Sequence, residues 1–402
     1  MIKKDDNFMS RKSMPTIKRI GVITLSHFDN YGSVLQTFAT QSLLSSWGNT
    51  VEIIHYHPGD VIPQPIYIRL IRLFQQNGFK KTCSTTIVFL INHIYYKNHI
   101  SSVKRIFSNF RSKHILFTED TYHDEDTLNT NLPEYDIYIA GSDNIWGVGS
   151  EGELHSKKGP YFLTFAPPNK LKLSYATSMG IPKIHPTQED EFRKYLGNID
   201  YISVRGESTA KFLHELTGRN IANTLDPTLL LTKEEWAEKF NLTSQKDKPY
   251  ILVYVIYKFP RKSEIYKFSK ILAKIIGMDI KYIGYHYRQG LPHYNDVEVE
   301  DFLKLFMNAS YVITNSFHGT LFSIIFRKTF YTFPPLNYLT RITDMLSSIS
   351  LMDRYIQTSD EALSLPQEID YTIPEQKLNE LRNYSLTWLK TALESEKRRD
   401  TI

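Results

Sequence analysis

Five residues, Asn315-Ser316-Phe317-His318-Gly319, interrupt an otherwise apolar stretch from 311 to 330. The run before them is short and β-branched, which predicts a buried strand over 311–314. Leu321, Phe322, Ile324, Ile325 and Phe326 then have the spacing of a buried helix, and a further strand is predicted over 329–333. In such a β–loop–α–β unit the polar loop lies at the strand's carboxyl end and the helix's amino end. Free N–H groups and the helix dipole favour an anion there. Ser316, His318 and Gly319 therefore stand where an anion would dock, and a histidine can carry a proton near neutrality. The plainer alternative is a capping serine with a histidine beside it.

Three other polar segments fall at predicted strand ends. Asp29-Asn30-Tyr31-Gly32-Ser33 closes a loop (26–33) after a first strand at 19–25, and it lacks the GxGxxG pattern of a dinucleotide site. Gly141-Ser142-Asp143-Asn144 follows a strand at 135–140, with a glycine that lets backbone approach a ligand. Arg205 ends a strand over 201–207, ahead of a helix that Ser208 would cap. For Asp29 and Asp143 the alternative is turn capping; for Arg205 it is an ion pair with Glu207 or Asp226. His55 and His57 stand two apart without a carboxylate cluster, so no metal site is indicated.

The elements that must position these residues alternate strand with helix. Helices are predicted over 34–47, 264–276, 299–307 and 377–398, and strands over 51–56, 171–176, 250–257 and 279–284. Thr232-Lys233-Glu234-Glu235 reads as a capping box. The polar segment 241–248 is the expected linker between two α/β series. The resulting division is an arm at 1–17, an N-terminal Rossmann-like domain at 18–240, a C-terminal Rossmann-like domain at 249–370 and a terminal helix at 371–402. Two such lobes with a central cleft define the expected α/β fold class.

The first domain carries a basic and aromatic helical insertion at about 62–117. Between 66 and 117 there is no Asp or Glu, while Arg69, Arg72, Lys80, Lys81, Lys97, Lys104, Arg105, Arg111 and Lys113 interleave with apolar residues. Such a segment can rest on an anionic bilayer or hold a polyprenyl phosphate; alternatively, its apolar side packs inward and its basic side is solvated. The net charge of +5 over 402 residues does not suggest nucleic acid. The single Cys83 excludes an internal disulfide and fits a reducing, cytoplasmic setting. Neither a signal peptide nor a run of the roughly 20 apolar residues a membrane span needs is present. A soluble protein, or one peripheral on the inner face of the cell membrane, is expected.

Taken together, HFDNYGSVLQ (27–36), YIAGSDNIW (138–146), KLSYATSMG (172–180), ISVRGES (202–208), LDPTLLL (225–231), VITNSFHGTLFS (312–323) and Arg341 in LTRITDML resemble the polysaccharide pyruvyl transferase family. The resemblance runs from about residue 18 to 355. It implies a glycosyltransferase-B-like fold and transfer of the enolpyruvyl group of phosphoenolpyruvate onto two hydroxyls of a sugar, galactose-type and free or polyprenyl-diphosphate-linked. The product is a pyruvate ketal in surface polysaccharide biosynthesis, with phosphoenolpyruvate as co-substrate and no other cofactor. By the resemblance, Arg205 and His318 are donor-site residues; Ser316 and Gly319 join them from the anion-site reading of their loop. Some family members carry arginine where this chain has Ser316, and Arg341 is the first candidate to replace that cation. His318 is the expected proton carrier, with Asp143 or Asp29 as base on the acceptor hydroxyl. Asn30, Tyr31, Ser142 and Asn144 are expected toward the acceptor. A nucleotide-sugar-dependent glycosyltransferase on the same scaffold is the alternative, and a non-catalytic membrane-docked scaffold protein the third reading.

Overall fold

A computed structural model describes residues 17–58, 101–149, 152–154, 158–244, 248–256, 264–284, 296–334, 340–365 and 368–397. Apolar, β-branched segments collect into two all-parallel sheets. The first has seven strands: β1 (Arg19–Ile23), β2 (Thr50–Tyr56), β3 (Phe117–Tyr122), β4 (Ile137–Ala140), β5 (Leu171–Thr177), β6 (Tyr201–Val204) and β7 (Ile221–Asn223). Their order is β3-β2-β1-β4-β5-β6-β7, so the chain reverses direction between β1 and β4. The second comprises β8 (Tyr250–Val255), β9 (Asp279–Gly284), β10 (Tyr311–Thr314) and β11 (Thr329–Thr332), in the order β11-β10-β8-β9, reversing between β8 and β10. Ligands in doubly wound sheets sit at such reversal points, beyond the strands' carboxyl ends. Both lobes are thus Rossmann-like, as the fold class expected. β5 and β8 are buried along their whole lengths, as parallel strands covered on both faces must be.

The lobes share one apolar core. Tyr31, at the start of the Tyr31–Ser46 helix, stacks on Phe302 of the Val299–Asn308 helix at 4.2 Å and 5°, and its hydroxyl donates to the Val297 carbonyl at 2.7 Å. Trp236 of the first lobe meets Phe322 of the second edge-on at 5.5 Å. The Thr372–Glu394 helix returns to the first lobe, where Arg382 Nε donates to the Leu229 carbonyl at 2.9 Å. The Leu225 N–H donates to Ser385 Oγ at 3.0 Å.

Several expectations need correction. The first helix starts at Tyr31 and not at 34, because Asn30 has extended backbone and its side chain accepts from the Gly32 and Ser33 N–H groups. Ser208 caps nothing: the Glu207–Thr217 helix begins one residue earlier, with Gly206 in the cap position. β3 is not apparent in the sequence because FTEDTY is an edge strand with three consecutive exposed residues and no apolar run. Residues 59–100, including Arg69, Arg72, Lys80, Lys81, Lys97 and Cys83, lie outside the described residues, as does the arm up to 16. In the remainder of the basic segment, a helix over 101–114 buries Ile106, Phe107 and Phe110. Three of its four cations pair with carboxylates: Arg111 with Asp29 at 2.6 Å, Arg105 with Glu298 at 3.6 Å, and Lys113 with Glu300 at 3.2 Å, while Lys104 is exposed. That portion packs inward and bridges to the second lobe. Among the described residues no helix is long and apolar enough to cross a membrane.

Candidate active site

The carboxyl ends of β1, β4, β6 and β7 face the Phe317–Ile325 helix of the second lobe, and their side chains meet there. After β1, the Asn30 cap turns the chain into helix at once, which brings the Ser33 hydroxyl to Asp143 Oδ2 at 2.8 Å. It also lays Gly32 flat against the His318 imidazole: a Cβ on Gly32 would lie 2.2 Å from His318 Nδ1. Thr24 Oγ1 donates to the Ser142 carbonyl at 2.7 Å and accepts from Gln36 Nε2 at 3.0 Å, tying the loops after β1 and β4 together.

Asp143 has φ +76°, a left-handed conformation that costs most residues energy and that aspartate tolerates better than most. The turn is held by the Ser178 N–H donating to the Asp143 carbonyl at 3.0 Å, and by the Asn144 N–H donating to Asp143 Oδ1 at 2.8 Å. Oδ1 also lies 3.6 Å from Arg205 Nη2. Arg205 is anchored through its own N–H to the Thr177 carbonyl at 2.8 Å, and its Nη1 forms an ion pair with Asp226 Oδ2. Asp226 caps the Pro227–Leu230 turn, where Oδ1 accepts from the Thr228 N–H at 3.0 Å and the Thr228 hydroxyl at 2.7 Å. Its Oδ2 additionally accepts from Ser142 Oγ at 3.3 Å and lies 3.6 Å from His318 Nε2.

From the second lobe, Ser316 caps its helix by accepting from the Gly319 N–H at 3.2 Å, and Asn315 Oδ1 accepts from the Ile256 N–H at 3.1 Å. Gly319 is small for packing: a Cβ there would sit 2.3 Å from Thr314 Oγ1 and 2.8 Å from Tyr254. The Phe317 ring lies beneath two guanidinium groups, with Arg205 Cζ 4.3 Å and Arg341 Cζ 5.6 Å from its centroid, a cation–π pairing that steadies both.

The cluster therefore holds two arginines, a histidine and two carboxylates, all buried. Burial alone would push the Asp143 carboxyl up. The charges of His318, Arg205 and Arg341 with the Ser33 hydrogen bond outweigh it, so Asp143 is held below its ordinary value. The same opposition acts on Asp226, where burial is overcome by Arg205, His318 and the Thr228 hydroxyl, leaving it far below the carboxylate range. Both are anions at neutral pH. Arg205 Nε and Nη2 and His318 Nε2 are buried without a hydrogen-bond partner, an arrangement that costs free energy unless an acceptor is engaged. Such a set can bind an anion, give it a proton and accept one.

Sequence expectations meet this geometry unevenly. Arg205, His318, Asp143, Ser316, Gly319 and Arg341 come together, and the Asp226 pairing foreseen as the alternative for Arg205 is present within the same cluster. Ser142 lies beneath the cluster, its single hydroxyl proton shared between Asp226 Oδ2 and the Ala176 carbonyl, which is 3.0 Å away. Tyr31 spans the lobes, Asn30 caps a helix, Asn144 follows the Asp143 turn, and Asp29 is held by Arg111. Asp226, Gly32 and Ser33 were not foreseen as site residues. In the sequence Asp226 stands out only as one possible ion-pair partner of Arg205 and as part of LDPTLLL (225–231). Among the described residues no group of three or more His, Cys, Asp or Glu is placed to hold a metal ion.

Solved structures of low identity align over most of the chain. A putative UDP-N-acetylglucosamine 2-epimerase from Listeria monocytogenes aligns at TM-score 0.49 and 10% identity, covering 96% of this chain and 100% of that one. The UDP-GlcNAc 2-epimerase of Methanocaldococcus jannaschii, solved with UDP-GlcNAc and UDP, aligns at TM-score 0.48 and 11% identity, covering 92% and 99%. Among curated proteins none matches significantly. The family model described as polysaccharide pyruvyl transferase matches residues 30–337, from the Asn30 cap beside Gly32 past Arg205, Asp226 and His318, and the chain belongs to that family.

Proposed function

We propose that this transferase moves the enolpyruvyl group of phosphoenolpyruvate onto two hydroxyls of one sugar, closing a pyruvate ketal. The observation that carries the reading is the convergence of Arg205, Arg341 and His318 at the amino end of the Phe317–Ile325 helix, beside the anionic Asp143. Phosphoenolpyruvate presents a carboxylate and a phosphate, which planar guanidinium forks bind better than ammonium groups do. Arg205 and Arg341 are the donor cations, Arg341 serving where Ser316 carries no charge, and the helix amino end adds its dipole.

In the proposed reaction His318, as imidazolium, delivers a proton to the methylene carbon, so that the C=C π electrons form the new C–H bond and C2 becomes an oxocarbenium-like centre. A sugar hydroxyl adds to C2 and gives its proton to Asp143. The C2–O bond to phosphate then breaks, inorganic phosphate departs with the electron pair, and the second hydroxyl closes the ring. Its proton leaves with the phosphate. Asp226 holds Arg205 and faces His318, so it orients both. Asn144 and Asp29 are assigned to the acceptor by their places in the loops after β4 and β1. The acceptor is a galactose-type sugar, free or polyprenyl-diphosphate-linked, and a lipid-linked acceptor would bring the protein to an anionic membrane surface.

The test is phosphate release from phosphoenolpyruvate across free and lipid-linked galactosides, with His318→Ala and Arg205→Ala as controls. Release that requires one sugar and falls at least 100-fold in both variants supports the reading, in line with loss of a positioned proton carrier. Absence of release with every sugar, together with turnover of a nucleotide sugar, sinks it in favour of a glycosyltransferase.

A further inference from the structure

The helix that follows Arg205, Glu207–Thr217, starts from Gly206 at φ +101°, a residue with no side chain to satisfy the first N–H groups. The missing acceptor comes from the other lobe. Asp344 Oδ2 accepts from the Ser208 N–H at 3.1 Å and Oδ1 accepts from the Ser208 hydroxyl at 2.8 Å. The approach is close: a Cβ on Gly206 would stand 2.7 Å from Asp344 Oδ2, so glycine serves both the backbone angle and the contact. Asp344 lies on the Thr340–Ser348 helix one turn beyond Arg341, and Arg205 immediately precedes Gly206. A cavity of about 30 Å³ is lined by Arg205, Gly206, Phe317, Arg341 and Asp344 together.

Resting on the donor reading of Arg205 and Arg341, we infer that Asp344 is a positioning residue: its carboxylate caps the first lobe's helix across the cleft and thereby fixes the spacing of the two guanidinium groups. A carboxylate at a helix amino end gains from the dipole and from charge-assisted hydrogen bonds. Burial pushes the Asp344 carboxyl up, nearby Glu207 adds to that, and the two hydrogen bonds from Ser208 act against both. The contact joins the lobes beside the donor cations, and lobe approach and donor-site assembly become one event.

The experiment compares wild type with Asp344→Ala, Asp344→Asn and Ser208→Ala by amide hydrogen exchange and by calorimetric binding of phosphoenolpyruvate. Asp344→Ala speeds exchange at 206–209 and weakens the donor roughly tenfold or more, the scale expected for losing hydrogen bonds to a charged group, with KM raised more than kcat is lowered. Asp344→Asn keeps one acceptor oxygen and restores most of the affinity. Ser208→Ala shifts both readouts the same way by less, and adding it to Asp344→Ala changes nothing further. Unchanged exchange at 206–209 in Asp344→Ala, or equal affinities in Asp344→Ala and Asp344→Asn, overturns the inference. Failure of wild type to bind phosphoenolpyruvate would instead refute the donor assignment, and the exchange comparison alone would then decide whether Asp344 joins the lobes.

Discussion

Asp226 does two things with its two oxygens. One caps a turn through Thr228, and the other sits between the Arg205 guanidinium and the His318 ring. Its side chain is fully buried, so removing its charge strands Arg205 in a low-dielectric site. Asp226→Asn is expected to cost about 3–5 kcal/mol of folding stability, the range for breaking a buried pair from one side. The pH dependence follows from the depressed carboxyl. Its stabilisation is complete above the unfolded value of about 3.9, and it is lost as pH falls through the folded value. The gap between wild type and variant should therefore be flat from about pH 5 to 8 and shrink below about pH 4. Urea unfolding at pH 7, 5, 4 and 3 checks this, and a gap that widens on acidification would contradict the pairing.

At the scale of elements, the site depends on one helix start pressing on another. Gly32 has an ordinary helical backbone, and alanine is the better helix former by about 1 kcal/mol. What alanine cannot do there is share space with His318 Nδ1, 2.2 Å from where its Cβ would be. Gly32→Ala should thus keep its melting temperature within a few degrees and lose about 100-fold in turnover, the scale of a 1 Å misplacement of a reacting group. A variant that is fully active, or that is inactive because it unfolds, would exclude this account. This contact also shows what the sequence makes readable. β8 and β10 were legible as apolar runs because both faces are covered, and the helix at Glu264–Ile276 through its periodic apolar face. The NSFHG segment was legible as a polar break with a capping serine, but Phe317, His318 and Gly319 belong to the helix and not to the loop before it; Arg205 was legible by its place at a strand end. Tyr31-Gly32-Ser33 passed for a loop because nothing local marks Asn30, among several polar neighbours, as the cap. The capping of the Glu207–Thr217 helix was illegible in principle: its acceptor is 136 residues away, on the other lobe. Local signals carry local caps; a cap between lobes follows from tertiary packing.

Over the whole molecule, the lobes are bound together more tightly than two domains joined by a linker need to be. Interfaces between domains of one chain are commonly polar and allow relative motion. Here Tyr31, Trp236, Phe302, Phe322 and Leu389 belong to a single buried cluster that runs through both lobes. The Thr372–Glu394 helix closes it from the chain's end. That helix also reaches the site: Ser385 Oγ holds the N–H of Leu225, the residue before Asp226, so the terminal helix steadies the turn that presents the central carboxylate. Damage to its apolar face should propagate to both sheets. Leu389 is 1% exposed, and Leu389→Ala is expected to cost about 2–5 kcal/mol, the range for an emptied core site. The wild-type chain should melt in one calorimetric transition whose measured and van't Hoff enthalpies agree, and Leu389→Ala should move that transition down as a unit. Two separated transitions, with only one displaced by Leu389→Ala, would mean that the lobes fold independently. The shared core would then be a docking surface between two finished domains, and the first lobe would present Arg205 and Asp226 correctly without the second.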